Sequence, residues 1–369
     1  MAGFIAMAGV YLLYPGVHGR VDMLGRVLGF RADAFFMVAY LVGRGLSFGK
    51  RELRWMLWAI VPGTALVAVV AAAQFVTPSW FNAFFNRIGY QAFINGQGGF
   101  GDVQVIRNRN IPGVDLARAS SLLLGDLALA FFSMLAVAVA ATILVTSSRS
   151  AHRWVGAVMV FATVATAALT LTRSAIIAIV PMLALAGVLT GKVFRLALVC
   201  ASLIASGLAV LVSGAVSIDS LAALSNPSED SFRGHFDAIA TSLQVLSEHP
   251  WGRGLGTSGT IGQRFLQEDS LTNENWFLQI ATEIGVIPGM TFLIITLVAG
   301  MSSMNTYLQA DQIDLRRIAL VVVLSWTGYF VMANVLHAWE VPVISMAFWL
   351  LVGVVVGGCH RESEIELEV

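Results

Sequence analysis

Long apolar runs separated by mostly short polar connections make up most of this chain. In a bilayer the backbone must satisfy its own hydrogen bonds, so an apolar run of about 20 residues forms a helix. The strict polar–apolar alternation of a transmembrane β-barrel is absent. We therefore predict an all-α fold, a polytopic transmembrane helical bundle of about ten spans, near residues 2–14, 32–48, 55–76, 119–146, 154–172, 174–190, 193–213, 275–301, 318–336 and 340–358.

Two connections, 77–118 and 214–274, are long. Basic residues concentrate instead in short connections and the C-terminal tail, and the positive-inside rule places such segments in the cytoplasm. The two long loops then lie outside the cytoplasm, although the connection 15–31, which holds three arginines, opposes this bias. We treat residues 1–369 as a single integral membrane domain. The short basic connections are 44–54, 147–153, 190–195 and 302–317.

The composition supports a membrane protein. Of the 369 residues, 57% are hydrophobic and only 12% are charged, against about 25% charged in soluble domains. The net charge is zero, so no broad basic face exists for nucleic acid. Cys200 and Cys359 lie in or beside apolar runs, and we expect them to be unpaired. The N-terminus lacks a basic region before its apolar run, which favours a first span or the remnant of one over a cleaved signal.

The second long loop carries a predicted amphipathic helix. Asn226 can cap it, and Pro227 suits its first position. The helix ends at His249-Pro250, and its single apolar stripe suits the membrane surface or the face of the bundle. Its apolar residues at helical spacing are Phe232, Phe236, Ile239, Leu243 and Leu246.

A glycine-rich turn follows this helix, from Trp251 to Gly259. Two interpretations stay open. Gly252, Gly254 and Gly256 could let backbone N–H groups approach a ligand phosphate. Alternatively, the segment is a helix stop followed by an ordinary loop.

Polar residues mark the point where the chain re-enters the membrane. Glu274 and Asn275 stand at that junction, and Glu283 lies two to three turns deeper. Intramembrane carboxylates are costly and are usually functional. Glu283 could equally be held structurally by hydrogen bonds to a neighbouring helix.

Three arginines lie at predicted external positions: Arg118, Arg173 and Arg233. A buried arginine at a span end is either an interfacial anchor or an anion ligand. The interpretation as an anchor is less favoured here, because positive charge is disfavoured at the external end of a span. If the three converge, their planar guanidinium groups suit a diphosphate.

Taken in order, these features resemble the O-antigen ligase and O-antigen or exopolysaccharide polymerase family of bacterial inner membranes. The resemblance covers roughly residues 105–290. It consists of Arg118, the Leu171-Thr172-Arg173-Ser174 step, Arg233, the turn from His249 to Gly256, and Glu274-Asn275 followed by Glu283.

The resemblance implies a GT-C-like bundle that performs glycosyl transfer on the periplasmic face of the inner membrane. The implied donor is a glycan on undecaprenyl diphosphate, and the acceptor is another glycan or the lipid A core. No cofactor and no metal are implied. A flippase and a chain-length regulator are the implied protein partners.

The resemblance also implies residue roles. Arg173, Arg233 and Arg118 hold the diphosphate, and Glu274 accepts the proton of the acceptor hydroxyl. The junction in ligases usually reads His-Asn, so Glu274-Asn275 favours a polymerase, with the ligase as the alternative. Apart from the resemblance, His235 is a candidate second base because it lies two residues after Arg233. Supporting positions are His249, Gly252, Gly254, Gly256, Asn275 and Glu283.

The residues themselves are consistent with a reaction that uses no metal. The chain has no Asp-x-Asp pair, and its histidines lack metal-ligand spacing. Arginines can neutralise the charge of a diphosphate leaving group instead.

Two further functions compete with this interpretation. A flippase for lipid-linked oligosaccharides would place polar residues at the bilayer midplane and often shows repeated halves. Here the polar residues cluster at one predicted face and no repeat is visible, which favours an enzyme. A peptidoglycan-type polymerase would use the same kind of donor and differ in its acceptor.

Overall fold

The computed structural model describes residues 1–14, 21–90, 92, 106, 108–111, 114–123, 125–212, 230–266, 269–271 and 273–368. Helices account for most of them, and the predicted all-α class is confirmed. The chain divides into two compact units. Unit 1 comprises Met1–Lys50, Gly98–Gly101 and Asp230–Val369, and unit 2 comprises Arg51–Gln97 and Asp102–Glu229.

Unit 2 is built around one central helix, α6, which is apolar on all sides and buried along almost its whole length. Short connections place the two following helices, α7 and α8, against it. The elements of this part of the chain are α4 (Lys50–Val76), α5 (Pro78–Arg87), β1 (Asn108–Ile111), β2 (Val114–Ala117), a 3-10 turn (Ser121–Leu123), α6 (Asp126–Thr146), α7 (Ser150–Leu169), α8 (Arg173–Thr190) and α9 (Val193–Val212). β1 and β2 form an antiparallel hairpin.

Unit 1 combines the first helices of the chain with the last ones. Glycines let α3 and α15 pack backbone to backbone, as is common between membrane helices. Phe36, Phe292, Trp339 and Trp349 form an aromatic core beside them. The elements are α1 (Ala2–Leu13), α2 (Met23–Phe30), a π-helical segment (Arg31–Phe35), α3 (Met37–Gly45), α10 (Asp230–Glu248), α11 (Gly259–Leu266), α12 (Trp276–Ile284), α13 (Val286–Gln309), α14 (Ile313–Ala333) and α15 (Pro342–Glu368).

The protein is a multi-pass membrane protein. Within the described ranges, seven helices are long and apolar enough to cross a bilayer: α4, α6, α7, α8, α13, α14 and the Pro342–Cys359 part of α15. Two shorter apolar helices are Ala2–Leu13 and the Val193–Ile204 part of α9.

The predicted spans differ clearly from the helices at three places. The span 119–146 begins before α6, whose first residue is Asp126. The span 32–48 lies in a longer helical stretch that begins at Met23, because Asp22 caps α2 by accepting the Gly25 N–H at 2.8 Å. The span 275–301 is divided at Gly285, whose φ of 96° ends α12 before α13 begins. Hydropathy alone does not register this break, since both flanking segments are apolar.

Candidate functional site

Helix α12 begins at a capped, polar junction. Asn275 is its N-cap, and its side-chain oxygen accepts the Leu278 N–H at 3.0 Å. The side-chain nitrogen of Asn275, Nδ2, donates to the backbone oxygen of Asn334 at 3.1 Å. Asn275 therefore fixes the start of α12, and with it the position of the preceding Glu274.

Glu274 pairs directly with a histidine of α10. Its Oε2 contacts His235 Nδ1, and each side chain is 29% exposed. In such a carboxylate–imidazole pair the contacted nitrogen carries the proton, and the second ring nitrogen, Nε2, is the basic one. Arg233 lies two residues before His235 on the same helix, but its side chain falls outside the described residues.

A buried polar network fixes the segment that leads into this pair. Asn273 accepts a hydrogen bond from the Ser242 hydroxyl of α10 and donates to Thr282 Oγ1 of α12 at 2.8 Å. Ser258 Oγ lies 3.3 Å from the same Thr282 oxygen. All four side chains are buried. Asn273 thus ties the helix that carries His235 to the helix that Glu274 precedes.

Glu283, near the other end of α12, holds the glycine-rich turn. Its Oε2 accepts the Gly256 N–H at 2.7 Å and its Oε1 accepts the Ser258 N–H at 2.9 Å. Its backbone oxygen accepts the Gly254 N–H at 2.8 Å. The N–H groups of Gly254, Gly256 and Ser258 are buried and already donate to Glu283. The hypothesis that these groups bind a ligand phosphate is therefore wrong. The sequence left open whether Glu283 is functional or structural, and these contacts are those of a structural residue.

The glycines of the turn are required by close backbone approach. Gly252 has φ of 83°, and a Cβ there would lie 2.5 Å from the Glu283 backbone oxygen. Gly256 has φ of 76°, and its Cβ would lie 2.6 Å from the Gly25 oxygen of α2. The exposed His249 takes part through its backbone oxygen, which accepts the Gly252 N–H at 2.9 Å.

Sequence reasoning missed Asp33, a buried carboxylate in the π-helical segment. Asp33 is 1% exposed and interacts with Glu283 and Gln279. Gln279 Oε1 in turn lies 2.9 Å from His337 Nδ1. A carboxylate inside a predicted span and a π-helical distortion are both signs of function, and the first was readable from the sequence.

His337 lies in the connection between α14 and α15. Burial lowers the pKa of His337, and the nearby Glu340 carboxylate partly opposes that shift. Glu340 accepts a hydrogen bond from the Thr260 hydroxyl of α11. The connection is thereby joined to both α12 and α11 of unit 1.

In unit 2, Arg118 secures the turn that leads to Arg173. Arg118 Nε donates to the Thr170 oxygen at 2.9 Å, and its NH2 donates to Thr172 Oγ1 at 3.1 Å. The same NH2 lies 2.7 Å from Asp126 Oδ2. These contacts give Arg118 a structural role in the turn.

The backbone of that turn is strained at Leu171, whose φ is 53°. A bulky residue in the left-handed region is uncommon and is usually held there by its surroundings. Arg173 follows as the first residue of α8 and is half-buried. A helix N-terminus already favours anions, and a guanidinium group beside it adds charge of the same sign.

The structure brings Glu274, His235, Asn275 and Glu283 together in unit 1, whereas Arg118 and Arg173 belong to unit 2. The convergence of the three arginines with Glu274 stays a prediction. Within the part of the chain that the structure describes, no group of three or more His, Cys, Asp and Glu side chains could hold a metal ion.

These features define a class: a multi-pass helical membrane protein with a carboxylate–imidazole pair at a helix junction. Comparison with known proteins makes the class more specific. A family model described as O-antigen ligase matches residues 157–294. The O-antigen polymerase of Salmonella muenchen is 41% identical over 63 residues, which cover 17% of this chain and 16% of that protein.

Both matches support the O-antigen ligase and polymerase family, so the predicted resemblance is confirmed. The matched residues 157–294 include Arg173, Arg233, Glu274 and Glu283. Arg118 lies outside them.

Proposed function

We propose that the protein is a metal-independent glycosyltransferase that polymerises oligosaccharide units linked to undecaprenyl diphosphate, on the periplasmic face of the bacterial inner membrane. The family match supports glycosyl transfer in general. The named relative is an O-antigen polymerase, and the resemblance implies a His-Asn junction in ligases where this chain has Glu274-Asn275. Both observations favour a polymerase over a ligase.

The observation that carries the proposal is the contact between Glu274 and His235 in the matched stretch. Glycosyl transfer to a hydroxyl requires a group that takes the hydroxyl proton as the new bond forms. Glu274 and His235 together supply one. The proton leaves the acceptor hydroxyl for the pair, and Glu274 stabilises the charge that develops on the imidazole.

The leaving group needs neutralisation of charge rather than a proton. As the acceptor oxygen attacks the anomeric carbon, the bond from that carbon to the diphosphate breaks, and negative charge grows on the diphosphate. Arg173 and Arg233 bind this group through charge-assisted hydrogen bonds that strengthen as the charge develops. Arg118 acts on Arg173 indirectly, because it holds the strained turn before α8.

The test is polymer formation by the purified protein in liposomes that contain lipid-linked repeat units. Excess chelator is added in one arm, and lipid A core is offered as the acceptor in another. Chain extension that survives the chelator supports the proposal. Transfer to lipid A core alone would identify a ligase. Movement of the lipid-linked unit across the bilayer without any transfer would identify a transporter.

A further inference from the structure

A cleft in unit 2 has two arginines at one end and apolar side chains along the rest. It lies between α7 and α9, beside the end of α6, and has a volume of 670 Å³. That volume falls within the range of about 300–1,000 Å³ typical of small-molecule sites. Arg153, Trp154 and Arg195 line one end of it.

The polarity of the cleft follows from the direction of its helices. α7 begins at Ser150 and α9 at Val193, and α8 returns the chain between them, so both helices start at the same end. The arginines lie in the first turns. Val158, Phe161 and Leu198 line the cleft one to three turns further along. A ligand that matches this gradient has an anionic head and an apolar tail.

The two guanidinium groups retain capacity for an anion. Arg153 NH1 donates to the Ser148 oxygen at 3.3 Å, and Arg195 NH1 lies 3.5 Å from the oxygens of Leu144 and Val145. Neither arginine has a carboxylate partner among the described residues. Both groups present several N–H donors in a planar fork that suits a phosphate.

We propose that this cleft binds an anionic phospholipid, with its phosphate at Arg153 and Arg195 and an acyl chain along Val158 and Phe161. Trp154 is 71% exposed at the same end, as is typical of a tryptophan at the lipid–water interface. The basic connections predict that this end faces the cytoplasm, where basic pockets between membrane helices bind anionic head groups. The site is independent of the proposed glycosyl transfer.

Brominated lipids, which quench nearby tryptophans, test this site in the purified full-length protein. Trp154 is isolated as the difference in quenching between the native protein and Trp154→Phe. We expect this difference to appear at much lower mole fractions of brominated phosphatidylglycerol than of brominated phosphatidylcholine. Arg153→Gln with Arg195→Gln should reduce that preference about 30-fold, since each basic residue contributes about 1 kcal/mol to such attraction and about 1.4 kcal/mol is a tenfold change in affinity.

A second pair of variants separates the site from bulk charge and from folding. Lys50→Gln with Arg51→Gln removes two exposed charges from the same predicted side outside the cleft, and should keep the preference. Ala157→Phe fills the cleft, leaves both arginines in place, and should abolish the preference for phosphatidylglycerol in Trp154-dependent quenching. Equal quenching by the two lipids, or an unchanged preference in the arginine or Ala157→Phe variants, would overturn the proposal. Stronger competition by undecaprenyl phosphate than by phosphatidylglycerol would also overturn it, and would assign the cleft to the donor lipid.

Discussion

The carboxylate of Glu283 accepts a hydrogen bond from the backbone N–H of Gly256 at 2.7 Å. With its second oxygen on the Ser258 N–H, it fixes the glycine-rich turn to one end of α12. The opposite end of the same helix begins at Asn275, directly after Glu274. The glycine-rich turn and the junction at Glu274 are therefore held at opposite ends of one nine-residue helix.

Glu283→Gln should destabilise the protein, because an amide places a donor where the carboxylate accepts two backbone N–H groups. One of the two backbone N–H groups then loses its acceptor, and a buried donor left without a partner costs about 1–3 kcal/mol. The measurement is thermal unfolding in detergent. Glu248→Gln is the matched control, since that carboxylate is exposed and bonds only Gln244 in the described structure. Equal melting temperatures for the two variants would contradict the structural role of Glu283.

Asp33→Asn should be tolerated far better than Asp33→Ala. The buried carboxyl groups of Asp33 and Glu283 interact, and two carboxyl groups close together in a buried site disfavour each other's charge. Asparagine is neutral, has a similar shape, and supplies an amide N–H that can donate to the Glu283 carboxyl group. Alanine leaves the neighbouring buried polar groups without this partner, at a cost of about 1–3 kcal/mol. Unfolding curves for both variants measure the difference. Equal destabilisation would show that Glu283 needs no polar partner at position 33.

The long apolar helices and the apolar stripe of α10 could be predicted because each depends on residues close together in the sequence. The Glu274–His235 contact could not, since it joins residues brought together only by the packing of α10 on α12. The turn from Trp251 to Gly259 was ambiguous for a similar reason. Glycine content indicates an unusual backbone, but only the fold decides whether its N–H groups face a ligand or Glu283.

His337 should make stability depend on pH. Burial lowers its pKa from the ordinary value of 6.5, so the folded protein keeps it neutral while the unfolded chain takes up a proton. Stability is therefore complete above about pH 6.5 and falls as the pH drops through that value towards the lower pKa of the folded state. Melting temperatures at about pH 5 and pH 7.5 measure this. His337→Gln should reduce the difference between the two melting temperatures. His249→Gln, which changes an exposed histidine, should leave that difference unchanged.

Arg118 and Arg173 should respond differently to substitution by lysine. Arg118→Lys loses the fork that bonds Thr170 and Thr172, so the strained turn at Leu171 relaxes and turnover and thermal stability fall together. Asp126→Asn, which weakens the same arginine's ion pair, should reproduce that effect. Arg173→Lys should mainly weaken donor binding, and stability should change little. Binding of a lipid diphosphate and melting temperature, measured on the same samples, separate the two patterns. A stable Arg118→Lys variant with weak donor binding would instead show that Arg118 binds the diphosphate directly.

Glu274 and His235 should behave as one unit in catalysis. Glu274→Gln keeps size and hydrogen bonding but removes the negative charge that orients the imidazole, and His235→Gln removes the imidazole itself.

General base catalysis is worth about 10²–10⁴-fold, so each variant should lose turnover in that range while donor binding persists. Because both residues serve one proton transfer, the double variant should be no slower than the slower single variant.

The pH–rate profile gives an independent check, since the limb that reports deprotonation of the base should disappear in His235→Gln. If Glu274 only assisted the start of α12, Glu274→Asp and Glu274→Ser would both be nearly silent. Rates of polymer formation from lipid-linked repeat units, at matched membrane expression, decide between these outcomes. A fully active Glu274→Gln enzyme would remove the pair from the reaction, and losses that multiply in the double variant would mean that the two residues act in separate steps.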